Sequence, residues 1–226
     1  FSKTQAYILE FGHNYIRFYK DEGQIYSSGT TAYELTTTYT AAQIFDIDYV
    51  QSADTMFIVH PDHVPRKLTR SAHTTWTLTD ISFLDGPYLP TNTTTTTMTP
   101  SATGLGSRTM TASASTFAST DVGRSLRVKD TNWGWGVITA FTSATVVTID
   151  TKAVWGGTGS STDWRLGAFH KTPNAIYPSK VTFYEERLFF ADTTEQPNTV
   201  FGSKTADFEN FAPTQVDGTV ADDDAV

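Results

Sequence analysis

Lys180-Val181-Thr182-Phe183-Tyr184-Glu185-Glu186-Arg187-Leu188-Phe189-Phe190-Ala191 is the stretch on which the fold reading rests. Two short runs of β-branched and aromatic residues flank a two-residue acidic turn, the pattern of an antiparallel hairpin. The Pro-containing loop Gln196-Pro197-Asn198 leads to a third strand at Thr199–Ser203, and then to the aromatic-bearing segment Asp207-Phe208-Glu209-Asn210-Phe211. The same grammar occurs upstream. Tyr49–Ser52 turns at Ala53-Asp54 into Thr55–His60, followed by Arg66–Arg70 and Thr75–Leu78. Pro61 and Pro65 cannot donate to a ladder, which places that connection at an edge or in a loop. The opening strands are Ala6–Phe11, Tyr15–Tyr19 and Gln24–Tyr26, with turns at Gly12-His13-Asn14 and Asp21-Glu22-Gly23. Units therefore begin near Ala6, Ile47 and Lys180. Once the stretch between Pro90 and Phe169 is set aside, the spacing is about 40–50 residues, that of four-stranded propeller blades. Unrelated hairpins in a sandwich would give similar local signals, and no Trp-Asp repeat signature is present.

Composition agrees with an all-β chain. Of 226 residues, 41 are Thr, 15 Phe, 10 Tyr and 5 Trp. Such side chains suit a pleated, half-buried surface better than a helix. The single helical expectation is one short turn, Ala41-Ala42-Gln43-Ile44-Phe45, capped by Thr40. No apolar run approaches the ~20 residues of a membrane helix, so no membrane span is expected. The absence of cysteine excludes disulfides, thiolate metal sites and thiol nucleophiles. A net charge of −8 argues against a nucleic-acid-binding surface. The start at Phe1, without Met or signal peptide, and the end at Asp222-Asp223-Asp224-Ala225-Val226 read as a fragment of a longer protein.

The intervening stretch has edges of its own: the Thr-rich run 91–97, and the loop Gly156-Gly157-Thr158-Gly159-Ser160-Ser161, expected to be flexible. Between them, strands are expected at Thr109–Ser113, Ser125–Val128, Trp135–Phe141 and Thr145–Ile149, with Trp164–Gly167 rejoining the host. The expected architecture is therefore propeller-like antiparallel meanders at 1–90 and 169–226, interrupted by a small β-barrel or sandwich domain at 91–168.

Few residues invite chemistry. His60-Pro61-Asp62-His63 could ligate a metal on a helix face, but the prolines exclude a helix, and a polar turn with hydrogen-bonded imidazoles is the better reading. Glu185-Glu186 and Asp207/Glu209 supply the paired acids that glycoside hydrolysis needs. Adjacent side chains in a tight turn diverge, however, and such acids are usually solvated. Asp222-Asp223-Asp224 reads as a solvated acidic run. No G-x-S-x-G and no phosphate-binding Gly loop occurs. Trp133-Gly134-Trp135-Gly136 puts two indoles on one strand face, where they could stack on a sugar ring or fill the core of a small barrel. No catalytic residue, cofactor or metal is expected; Trp133 and Trp135 are the only candidate binding residues.

Four separated stretches resemble the tail tubular or nozzle-type proteins of short-tailed bacteriophages. The first is Ala6-Tyr7-Ile8-Leu9-Glu10-Phe11-Gly12 with Tyr15-Ile16-Arg17-Phe18. The second is Val50-Gln51-Ser52-Ala53-Asp54 with His60-Pro61 and Pro65-Arg66-Lys67-Leu68. The third is Phe83-Leu84-Asp85-Gly86-Pro87-Tyr88. The fourth runs from Tyr177-Pro178 through Ala191 to Gln196–Val200, Gly202-Ser203-Lys204 and Asp207–Phe211. The resemblance implies a non-catalytic virion component that assembles with other tail proteins and with copies of itself into a ring, around a channel through which DNA passes. On this reading Gly12, Gly23, Gly86 and Gly202 occupy turns, while Tyr15, Phe18, Phe189 and Phe190 pack. Two other readings stay open: a carbohydrate- or receptor-binding module that meets host-surface glycan through Trp133 and Trp135, and a tail-associated glycosidase using acids such as Glu185 and Asp207.

Overall fold

Alternation builds the first sheet. In the computed structural model, which describes residues 6–170 and 176–226, Ile8–Gly12 (β1) and Tyr15–Lys20 (β2) pair antiparallel from Ile8 opposite Tyr19 to Gly12 opposite Tyr15. Gly23–Gln24 (β3) continues along the far edge of β2. The small hairpin Tyr26–Ser28 (β4) and Thr31–Ala32 (β5) follows, and Glu34–Thr36 (β6) returns to β2. Leu9, Phe11, Ile16 and Phe18 join an apolar core. The alternate residues make a polar network on the other face. The hydroxyls of Tyr15 and Tyr19 both donate to the Glu10 carboxylate, and Arg17 pairs with Glu34 at 2.6 Å. The Tyr15 ring crosses Gly12 on its way to Glu10, so a Cβ at Gly12 would lie 2.1 Å from it.

Asp48–Ser52 (β7), Thr55–His60 (β8), His63–Ala72 (β9) and Thr75–Asp80 (β10) form an up-and-down meander. Pro65 lies inside β9, contrary to the expected edge or loop. The register slips there, with Ile58 opposite Arg66 but His60 opposite His63. A bulge leaves a residue without a ladder hydrogen bond, so the missing N–H of Pro65 costs nothing. The expected helical turn at Ala41–Phe45 is not a helix either. Gln43 N–H and Ile44 N–H both bond to the Thr40 carbonyl, after which the chain turns away. Ile44 and Ile47 pack on the core of the first sheet, but Phe45 is 90% exposed and the hydrogen-bonded turn does not propagate.

Residues 98–166 make a six-stranded curled sheet with a core of its own. Its strands are Met98–Pro100 (β11), Gly106–Ala112 (β12), Ser125–Lys129 (β13), Trp133–Ser143 (β14), Val146–Ala153 (β15) and Trp164–Leu166 (β16), in the order β11-β12-β15-β14-β13-β16. Trp164–Leu166 thus pairs with Leu126–Val128 in this sheet, and it also rejoins the host, since Leu89 N–H bonds to the Leu166 carbonyl and Tyr88 bridges Gly167. Met98 and Ser161 exchange both backbone hydrogen bonds, which draws the two ends of the sheet together around Met110, Leu126, Ile138, Val147 and Ile149. The Thr-rich run is tied down by Asn92, whose amide donates to the carbonyls of Thr94, Thr96 and Thr162. On the other side, Gly159 N–H bonds to Asp130. Among the described residues the only helical element is the 3-10 turn Ser119–Asp121, and no helix is long and apolar enough to cross a membrane.

Lys180–Tyr184 (β17), Arg187–Ala191 (β18) and Val200–Gly202 (β19) complete the third meander. Its first turn places both Glu185 and Glu186 at positive φ, 46° and 57°, as a two-residue hairpin with right-handed twist requires. Gly202 sits in β19, not in a turn. It is confined by the Phe189 ring, 2.6 Å from where a Cβ would be. Asp207–Phe211 forms turns and a single bridge to Leu84 instead of a fourth strand.

The three meanders stack through β8. Phe57 and Val59 face a core with Leu188, Phe190, Phe201 and Phe211, whereas Ile58 faces the core of the first sheet beside Phe18, Leu68 and Trp76. The protein is all-β. Ile58→Ala is expected to lower the unfolding free energy by roughly 2–4 kcal/mol in urea titrations, while Phe45→Ala changes it by less than ~0.5 kcal/mol.

Candidate functional site

The densest buried charge lies where β13 and β16 meet the loop 84–88 and the segment 214–218. The loop is shaped by backbone approach. Leu84 and Phe211 are joined through Leu84 N–H to the Glu209 carbonyl and Phe211 N–H to the Leu84 carbonyl. Gly86 (φ 124°) passes so near that a Cβ would lie 2.7 Å from the Phe211 carbonyl oxygen. Asp85 is thereby pushed inward at φ 47°.

Arg127, only 2% exposed, meets it. Its Nε is 3.5 Å from Asp85 Oδ1, and its Nη2 donates to the Thr214 carbonyl at 2.9 Å and the Thr214 hydroxyl at 3.0 Å. Tyr88 donates to Asp85 at 2.6 Å. Burial raises the Asp85 carboxyl above its ordinary range, opposed by Arg127 and Tyr88. Burial and the Asp85 charge raise the Tyr88 phenol well above its own. Arg165 is lowered by burial and by the neighbouring Arg127.

Trp133 lies in this cluster. Arg127 sits 4.7 Å over its ring, Arg165 5.9 Å and Lys129 6.0 Å, and its backbone N–H bonds to the Val216 carbonyl. Trp133 is 5% exposed. Trp135 shares its strand face, opposite Arg127, and is half-buried. Trp133 is thus held under cations at the junction between the six-stranded sheet and the segment 214–218, while Trp135 stays partly open to solvent. Asp85, Tyr88, Arg127 and Arg165 escaped the sequence reading. The one available signal is Arg127 itself, a lone charge between Leu126 and Val128 in a strand whose three central residues are all buried.

The other acids do not converge on one site. Glu185 and Glu186 are exposed at a hairpin tip. Glu209 forms an ion pair with Lys67, and Asp207 closes a one-residue bridge to Lys204. In the terminal acidic run Asp222 and Asp223 are exposed as expected, but Asp224 is not. Asp224 is 3% exposed, bonded to Lys204 (2.8 Å), Gln215 and the Ala221 N–H. Burial opposes its ionisation, but these partners outweigh burial and hold its carboxyl below the ordinary value.

His60 and His63 close the β8–β9 turn against Tyr39, with ring centres 4.9–6.3 Å apart. His60 Nδ1 accepts the Asp62 N–H, while His63 meets Thr38 and Gln43. These are hydrogen-bonded imidazoles in a polar turn. Among the described residues no group of three or more His, Asp or Glu is placed to hold a metal. Burial lowers both histidines below their ordinary value, and the His60–His63 proximity adds to the effect on His63.

Compared with known proteins, the chain matches no protein-family model and no curated protein.

Two outcomes follow from this geometry. Arg127→Ala leaves Asp85 buried without its cation and should cost about 3 kcal/mol in urea unfolding. Asp85→Asn added to it should cost less than the sum of the single changes, because the two groups share one interaction. For the histidines, a folded-state value below the unfolded one means that the unfolded chain takes up protons first. Their stabilisation is therefore present above about pH 6.5 and lost as pH falls below it and through the lower folded values. The melting temperature should be flat from pH 7 to 8 and fall below about 6.5, and His60→Phe should remove part of that fall.

Proposed function

We propose that this chain is a structural, non-catalytic component of a bacteriophage tail, of the tubular or nozzle type, that works as part of an oligomeric conduit for DNA. The observation that carries the reading is the use to which the resembling residues are put. Val50 from the second stretch, Phe83 from the third, and Tyr177, Phe183, Phe190, Phe208 and Phe211 from the fourth all enter one core. Leu9, Phe11, Ile16 and Phe18 from the first stretch enter the core on the opposite face of β8. The polar residues between them are spent on internal ties such as Glu10–Tyr15 and Asp85–Tyr88. A shared pattern made of packing residues marks a shared scaffold, and a scaffold is what a conduit needs. The net charge of −8 agrees, since an acidic wall does not trap passing phosphates.

Surface for assembly is available. Tyr184 and Val200 are 64% and 56% exposed beside Phe189 on the open face of the third meander. Isolated exposed apolar residues are ordinary, but a contiguous group on a flat sheet face suits a subunit contact. Of the two residues of the sugar-binding reading, Trp133 is 5% exposed with Arg127 over its ring, and Trp135 is half-buried.

The test is electron microscopy of the parent particle labelled with an antibody raised against this chain. Label on the tail shaft or its tip is expected; label on the capsid shell, or on fibres alone, overturns the proposal.

A further inference from the structure

The segment 213–226 contains neither strand nor helix, yet each of its ends is held by a different sheet. At its start the partner is the six-stranded sheet. Arg127 Nη2 donates to the Thr214 carbonyl and hydroxyl, and the Trp133 N–H donates to the Val216 carbonyl at 2.7 Å. Gly218 passes so close that a Cβ would lie 2.5 Å from Lys129 Nζ and 3.3 Å from the Trp133 indole nitrogen. At its end the partner is the third meander. Arg187 donates to the Asp222 carbonyl at 2.5 Å and to the Asp224 carbonyl, as well as to that of Ser203 at 2.9 Å. Lys204 pairs with the Asp224 carboxylate, and Gly202 and Val226 exchange both backbone hydrogen bonds.

The two ends are also tied to each other. Asp224 Oδ1 accepts from the Gln215 side-chain amide at 2.6 Å as well as from Lys204, and Oδ2 accepts from the Ala221 N–H at 2.7 Å. Gln215 N–H donates to the Thr219 carbonyl, and the Gln215 carbonyl accepts from the Gly218 N–H. Gln215 therefore stands next to Thr214, which holds Arg127, while its side chain holds Asp224, which holds Lys204. A flexible loop lets its ends move independently, whereas one closed on itself by hydrogen bonds leaves little freedom between them. Because the Asp224 carboxylate is buried, losing one of its partners is costly, and the constellation is held or released as a unit. The apolar clusters of the two sheets share no residue, so the route between them along this segment is polar.

We infer that the segment 213–226 is a strap: the seating of the six-stranded sheet at Trp133 depends on the anchor that Arg187 and Lys204 provide in the third meander. Releasing that anchor frees the Thr214–Val216 end and loosens the junction at Trp133. Both cores stay folded, because Asp85 and the bond from Leu89 N–H to the Leu166 carbonyl still hold the sheet. The fold thus carries a releasable tie that lets one edge of the sheet yield without unfolding.

Amide hydrogen exchange of the full chain, followed by NMR, tests the coupling at the Trp133 N–H, whose acceptor lies on the strap. Asp224→Ala removes the far anchor and should speed exchange at Trp133 about tenfold. Ile149 and Ile58, each fully buried in a separate core, should exchange at their original rates. Gln215→Leu cuts the tie midway, leaves the Lys204–Asp224 pair in place, and should give the same result. Unchanged exchange at Trp133 in both variants overturns the strap. Acceleration in only one of the two overturns the coupling through Gln215 and Asp224. Equal acceleration at Trp133, Ile149 and Ile58 means that the whole fold has been destabilised, and it overturns the strap as well.

Discussion

Strand β8 is buried on both faces, and the three meanders depend on that constraint. Most antiparallel strands in small sheets show one face to a core and the other to water. From Phe57 to His60, β8 shows neither side to solvent. Phe57 and Val59 commit it to the third meander, and Ile58 to the first. A single strand thus fixes the spacing of three sheets, and a one-residue slip would send each apolar side chain to the wrong core. The bulge at Val59, Val64 and Pro65 is where the ladder absorbs the extra residue, and the hairpin closes with His63 edge-on to both Tyr39 and His60.

The second dependence is electrostatic. The six-stranded sheet has its own core and is joined to the rest of the chain by backbone bonds such as Leu89 N–H to the Leu166 carbonyl. It also inserts Arg127 into the junction, where the guanidinium meets Asp85, the Thr214 carbonyl and the Trp133 ring. A buried ion pair adds little net stability compared with an apolar equivalent, but it punishes misplacement severely. That suits an attachment that must hold one orientation. Arg124 plays a similar part, reaching the Gly167 carbonyl while paired with Asp121.

The strands near Ile8, Asp48 and Lys180 were legible because period-2 alternation and tight turns are local properties, and the expected starts of the three units fall within two residues of the observed ones. The errors have local causes too. Ala41–Phe45 has helix-forming residues, but Phe45 has nothing to pack against. Trp164–Leu166 reads in sequence only as the return to the host, yet it pairs with Leu126–Val128 on one side while bonding Leu89 on the other. Pro65 breaks a ladder on paper, yet a bulge removes the need for its hydrogen bond.

By itself the sequence determined that this protein is all-β, that its strands are short and paired by close turns, and that a compositionally distinct stretch interrupts the meanders. These follow from side-chain shape and spacing along one segment at a time. Tertiary structure alone decided that β8 serves two cores, that Trp133 lies under Arg127 at a junction, and that Asp85 lies against Arg127. Each of those depends on residues far apart in the chain, Asp85 with Arg127 and Ile58 with Phe18. What brings such pairs together is the packing of whole sheets, which no local pattern encodes.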